Sequence, residues 1–153
     1  MNVAVRRATP GDAALLAAHR ALVWDDGGHD PVRTRAQVPV WTAWMRDAIV
    51  RDEYVAFIAA DGERTIGSAS LLVQLAVPRP GYRGDRDGRV HGVWVEPGER
   101  RAGVARAMMR ELIAYARATD LMRLALHPTD VARPLYVSLG FEALDEMGLY
   151  FGD

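Results

Sequence analysis

The run Arg100-Arg101-Ala102-Gly103-Val104-Ala105 lies between an apolar segment ending at Val95 and an amphipathic segment ending near Ala118. A glycine-bearing turn between a strand and a helix can hold phosphate. The first N–H groups of a helix have no partner within it, and its N-terminus carries about half a positive charge. Gly103 lets the backbone approach a ligand closely, and Ala105 keeps the following turn small. Arg100, Arg101 and Arg106 add charge around the same point. Taken alone, the turn serves equally well as a helix start with surface arginines. Two other phosphate-binding schemes fail on the residues. Gly98 and Gly103 have P-loop spacing, but Val104 and Ala105 stand where Lys and Ser/Thr are required. No G-x-G-x-x-G follows a strand, so the dinucleotide fingerprint is absent.

The elements that must present this turn follow from periodicity. Val3–Arg7 alternates as a first strand, and Thr9-Pro10-Gly11-Asp12 opens a helix running towards Trp24. Residues 25–31 form a loop, and a second helix covers Val38–Arg51 with Trp41, Trp44, Met45 and Ile49 on its apolar face. Glu53–Ala60 and Arg64–Val77 make a hairpin around Asp61-Gly62-Glu63. The small run Gly67-Ser68-Ala69-Ser70 marks a close approach of backbones. After a loop from Pro78 to Arg89 come a strand (Val90–Val95), a helix (Arg101–Ala118) and a strand (Leu121–Leu126). A short helix from Asp130 to Leu139 closes at Gly140, and Phe141–Phe151 supplies one or two last strands. The order β-α-α-β-β-β-α-β-α-β predicts an α/β domain of the α+β mixed-sheet kind, one domain over residues 1–153.

Composition narrows the chemistry. The net charge is -1, so no basic field favours nucleic acid, and no run of about 18 apolar residues spans a membrane. The first residues read as a strand and lack the pattern of a secretory signal. The absence of cysteine excludes disulfides, thiolate metal sites and a cysteine nucleophile, and it fits a cytoplasmic protein. All 19 basic residues are arginine, which rules out Schiff-base chemistry at lysine. No metal site is expected.

The segment Val93-Trp94-Val95-Glu96-Pro97-Gly98-Glu99-Arg100-Arg101-Ala102-Gly103-Val104-Ala105 resembles the central motif of the GNAT acyltransferases (Gcn5-related N-acetyltransferases). In that family R/Q-x-x-G-x-G/A follows a strand ending in V-x-P. Arg100, Gly103 and Ala105 take the defining positions, with Arg101 and Ala105 replacing commoner glycines. Ala132-Arg133-Pro134-Leu135-Tyr136-Val137-Ser138-Leu139-Gly140-Phe141 resembles the family's A-x-x-L-Y-x-x-L-G-F block, and Arg7–Asp12 its opening. The resemblance implies a GNAT-like acyl-CoA N-acyltransferase fold with splayed fourth and fifth strands, and acetyl-CoA as cofactor. It implies that backbone groups of Val93 and Val95, with Trp94 between them, bind the pantetheine arm. The N–H groups of Arg101, Ala102, Gly103, Val104, Ala105 and Arg106 would cradle the pyrophosphate. Thr129 replaces a common asparagine seven residues before Tyr136 and would serve as a helix cap or cofactor contact.

The implied reaction moves an acetyl group to a primary amine of a small molecule or peptide by direct attack in a ternary complex. An alkyl ammonium with a pKa near 10.4 is only about one part in 2,000 free amine at pH 7, so a base or a pKa-depressing site is needed. The resemblance implies that Tyr136 is the acid for the leaving thiolate. The plain reading of Tyr136 is an amphipathic core tyrosine. His91, nine residues before Arg100, is the first candidate base, and a strand-edge histidine satisfied by neighbours is its equal alternative. Residues 91, 93 and 95 share one face if the strand has no bulge. Glu96 is the runner-up base, and His127 reads as structural. The acceptor would meet walls from Trp24–Trp44, the loop Pro78–Arg89 and the tail Met147–Phe151, with Asp25, Asp26 and Asp30 attracting a cation. Charged loop residues are usually solvated surface, and aromatics at helical spacing are usually core. A non-catalytic acyl-CoA sensor would keep the phosphate turn without turnover. A homodimer is common among folds of this type.

Overall fold

A computed structural model describes residues 1–152. Five strands, β1 (Val3–Arg7), β2 (Tyr54–Asp61), β3 (Arg64–Leu75), β4 (Arg86–Val95) and β5 (Leu124–Ala125), form one sheet in sequence order. The first four are antiparallel neighbours, and β5 joins β4 in parallel. The helices are α1 (Ala13–Asp26), α2 (Pro31–Val50), α3 (Val104–Ala118) and α4 (Arg133–Ser138). This is the mixed α/β sheet expected from the sequence.

Register divides the sheet into two faces. Tyr54, Ala56 and Ile58 pair with Leu72, Ser70 and Ser68 and pack with Met45 and Ala48 of α2 and Leu16 and Ala17 of α1. Val55, Phe57 and Ala59 share the other face with Ala69, Leu71, Val90 and Val95, under Val104, Met108 and Leu112 of α3. Helices therefore cover both sides of a sheet whose central strands are buried on each face. Gly67 is the close approach that the small run announced. A Cβ there would lie 2.7 Å from the Trp94 carbonyl oxygen and 3.1 Å from Met108 Cε.

Several boundaries differ from the sequence-based expectation. α2 begins at Pro31 rather than Val38, because Asp30 caps it by accepting a 3.0 Å bond from the Val32 N–H and Pro31 occupies the first turn. Pro39 sits inside α2 without ending it. β4 begins at Arg86 within the expected loop, held by Asp87, which takes 2.8 and 2.9 Å bonds from Arg79 and a 3.3 Å bond from Arg123. α3 starts at Val104, and β5 shrinks to two residues before His127-Pro128, where proline removes a ladder donor. The expected last strand within Phe141–Phe151 is absent from the described residues. A strand needs an edge to pair with, and β5 offers only two residues of one.

Candidate active site

β4 and β5 touch only at one end. Gly88 pairs with Leu124 and Arg89 with Ala125, and the Gly88 N–H donates to the Arg123 carbonyl at 2.8 Å. From Val90 to Val95 the β5 side of β4 has no strand partner among the described residues. The two strands thus splay as expected.

A bulge adds to the divergence. Ala69 pairs with Val93 and Ser70 with His91, which leaves Gly92 as the extra residue at φ 71°. A bulge re-aims the side chains beyond it. The expected sharing of one face by residues 91, 93 and 95 is therefore corrected. Val93 and Val95 belong to the α3 side, while His91 and Trp94 belong to the side covered by α1 and α2.

At the open end of the gap lies the arginine-glycine turn. Gly103 adopts φ 84° and Arg101 φ 63°, two left-handed residues that curl the backbone just before α3. The first bond of that helix runs from the Ala107 N–H to the Gly103 carbonyl at 3.0 Å. The N–H groups of Arg101, Ala102, Gly103, Val104, Ala105 and Arg106 donate to no protein acceptor among the described residues. A Cβ built on Gly103 meets nothing within 4 Å, so the concave side of the turn is open. Six free donors beside a helix N-terminus form an anion cradle. Arg100 supports it from behind: its Nε donates to the Val95 carbonyl at 2.9 Å, and a terminal nitrogen lies 3.2 Å from Asp26. Arg106 bonds Ser138 Oγ at 2.8 Å, which ties the turn to α4.

α4 brings Tyr136 to the same side. Its ring is buried with Val93 and Ala105 and meets Phe141 edge-on at 5.8 Å. Burial raises the phenol above its ordinary pKa, so it keeps its proton at neutral pH. Thr129 acts as the expected cap, its Oγ1 accepting from the Ala132 N–H at 3.2 Å ahead of α4.

On the opposite face, His91 lines a cavity of about 340 Å³ with Arg20, Trp41, Trp44, Tyr54 and Leu72. Burial, then the nearby Arg20, Arg89 and His127, lower the His91 imidazole to about 4. A neighbouring cavity of about 640 Å³ shares Gln37 and Trp41 and is walled by Trp24, His29 and Asp30, the one expected acid that reaches a cavity wall. His19, buried, bonds Ser68 Oγ through Nδ1 at 2.7 Å and lies against Trp94 with ring centroids 4.4 Å apart.

Of the sequence-based site residues, the structure gathers Arg101–Arg106, Val93, Val95 and Tyr136 along one side of the gap. It places His91 and Trp94 on the other face. Three acids stand apart. Glu96 pairs with Arg64 at 3.3 Å, Asp25 with Arg35 at 2.5 Å and Asp26 with Arg100, and none of the three lines either cavity. The loop before β4 lines neither cavity, and the tail Met147, Leu149, Tyr150 and Phe151 is 79–93% exposed. His127 is exposed between Arg89 and Glu146. Sequence reasoning missed Arg20, His19 and Tyr54. The i, i+4 pair Arg20 and Trp24 on one helix was the available signal for Arg20.

Comparisons with known proteins bear on the family and the fold. Residues 17–141 match the profile of the acetyltransferase (GNAT) family. A glucosamine 6-phosphate N-acetyltransferase of Trypanosoma brucei brucei is 32% identical over 80 residues, which is 52% of this chain and 52% of that protein. The match thus spans about half the length of either. A GCN5-related N-acetyltransferase from Ralstonia eutropha JMP134 superposes with a TM-score of 0.88 at 22% identity, over 98% of this chain and 99% of that one. A predicted acetyltransferase from Clostridium acetobutylicum, solved with acetyl-CoA, gives 0.87 at 23% identity over 98% and 96%. At these identities the two structures speak to fold.

Proposed function

The chain belongs to the GNAT acetyltransferase family, and on that premise we propose that it carries an acetyl group from acetyl-CoA to a primary amine by direct attack in a ternary complex. The observation that carries this reading is the run of six free N–H groups from Arg101 to Arg106 at the mouth of the gap between β4 and β5. An open anion cradle next to an unpaired strand edge suits a ligand with a pyrophosphate and an extended amide-bearing arm. The Clostridium neighbour holds acetyl-CoA, and the Trypanosoma relative is an N-acetyltransferase of an amino sugar phosphate. Both support a CoA thioester donor and an amine acceptor.

When bound, acetyl-CoA supplies an activated acyl carbon and a sulfur leaving group. Val93 and Val95 offer backbone groups to its arm, Thr129 orders the approach to α4, and Tyr136 stands ready with a phenolic proton. The acceptor enters from the α1–α2 face and meets His91. A magnitude decides how His91 works. Moving a proton from an ordinary ammonium to a group at about 4 is uphill by about six pKa units, or about 9 kcal/mol. His91 therefore does not deprotonate the resting ammonium. The burial that depresses His91 also disfavours a charged ammonium beside it, so the site takes the free amine. As the carbon–nitrogen bond forms, that nitrogen becomes acidic, and the neutral imidazole accepts its proton and releases it to solvent. Tyr136 passes its phenolic proton to the departing sulfur and regains one from solvent.

The test is an initial-velocity study of thiol release over amino acids, amino sugars, polyamines and peptide amines. Intersecting lines with an accepted amine support the proposal, and parallel lines refute direct attack. Tight coenzyme A binding without release for any amine would favour a sensor.

The reading includes a homodimer, supported by the apolar residues left in water between Leu144 and Phe151. Sedimentation velocity checks it, and a monomer at tens of micromolar would refute it.

A further inference from the structure

The cavity beside His91 holds a charge that acetyl transfer does not require. Arg20, on the inner side of α1, is half-buried, and its guanidinium carbon lies 5.2 Å from the Trp41 ring centroid and 5.6 Å from that of Trp24. No Asp or Glu lies within 4.0 Å of it among the described residues, whereas Arg6, Arg35, Arg79 and Arg89 each hold a carboxylate. The walls around it are aromatic or apolar, with Gln37, His91 and the Tyr54 hydroxyl, which bonds Ser70, as the polar exceptions and no acid among them. The acids nearest in sequence, Asp25 and Asp26, are committed to Arg35 and Arg100.

This arrangement does not suit a purely cationic acceptor. A polyamine entering it would meet a positive charge and no negative one. An arginine held against the Trp24–Trp41 pair, whose centroids are 6.0 Å apart, stays in place by cation–π attraction, and its planar fork remains able to take two oxygens of a carboxylate or phosphate. Trp41 and Trp44, three residues apart on α2, offer flat faces for a planar apolar body.

We propose that Arg20 anchors an anionic group, carboxylate or phosphate, on an acceptor amine whose apolar body lies against Trp41 and Trp44, with the amine directed to His91. This acceptor class rests on the acetyl-transfer reading, but the anion seat itself does not.

The test uses matched amines and a non-reactive probe. kcat/KM is measured for phenylalanine against phenethylamine and for phosphoethanolamine against ethanolamine. Binding of 3-phenylpropanoate and of phenyl phosphate is followed by tryptophan fluorescence. The anionic member of at least one pair is expected to be favoured by roughly tenfold or more, as for a polar contact that the analogue cannot make. Arg20→Gln should bring that ratio close to one and abolish probe binding, and Arg20→Lys should restore part of both. Equal use of both members in each pair, or probe binding that persists in Arg20→Gln, overturns the anion seat while leaving acetyl transfer in place. Arg20-dependent probe binding with no amine turned over supports the seat and removes the transfer reading. If Arg20→Gln does not fold, wild-type binding of 3-phenylpropanoate against phenethylammonium decides. Preference for the cation refutes the seat.

Discussion

Tyr136 carries the most local claim, because one oxygen separates its proposed role from that of a core ring. Phenylalanine keeps the edge-on contact with Phe141 and the packing with Val93. Tyr136→Phe is therefore expected to lower kcat by more than roughly tenfold, the range for loss of a general acid, with little change in coenzyme A affinity. Steady-state kinetics with calorimetric titration of coenzyme A checks both, and unchanged kcat removes the acid role. For His91, the informative quantity is a pH profile. With its imidazole held at about 4, no limb near 6.5 is expected in log kcat/KM, and the slope above pH 5 comes from the acceptor's own ammonium. His91→Ala should lower the rate and leave that slope in place. A limb near 6.5 that disappears in the variant would show that His91 titrates normally. The motif residues at this scale were legible because the chemistry is tied to fixed spacings. Arg20 was not, because the absence of a counter-charge is a three-dimensional fact.

At the scale of elements, the turn before α3 makes the sharpest prediction. Gly103 is left-handed with open space beside it, so a leucine there meets strain of about 1–2 kcal/mol rather than a clash. Its side chain would project into the open space at the turn that carries the six free donors. Gly103→Leu is expected to weaken coenzyme A at least roughly tenfold, as for lost charge-assisted bonds, while the protein still melts cooperatively. Unchanged affinity would move the pyrophosphate elsewhere. The strands and helices were legible wherever apolar residues kept a single period, as in α3. The failures have identifiable causes. Pro31 and Pro39 look like breakers, yet one fits the first turn and the other is tolerated on an exposed stretch of α2. The bulge at Gly92 inverted the face of His91, because parity along a strand holds only while the ladder is unbroken. The tail has strand-like residues, but β5, the strand it follows, offers only two residues to pair with.

The whole molecule shows its balance of charge through acid unfolding. His19 and His91 are both held at about 4, mainly by burial, against an ordinary value of 6.5. Both are thus neutral in the fold and take up protons on unfolding. Their stabilising contribution is complete above pH 6.5 and is lost as the pH falls towards 4. Asp12, held at about 2 by two 2.8 Å bonds from Arg6, adds a second loss between 3.8 and 2. Urea denaturation from pH 8 to pH 3 should show stability falling from about 6.5 downward, with proton uptake approaching about two. Flat stability from pH 7 to 4.5 would contradict the buried neutral histidines. These shifts belong to the packed fold and leave no trace in composition, which gave only a net charge of -1.

Acetyl transfer at the gap between β4 and β5 is the central claim. It is tested most directly by following one reaction for both products, the free thiol of coenzyme A and the N-acetylated amine by mass spectrometry. The account predicts amine-dependent formation of the two in equal amounts. Thiol release that does not depend on the amine, or coenzyme A binding with no acetylated product from any amine in the panel, would contradict it.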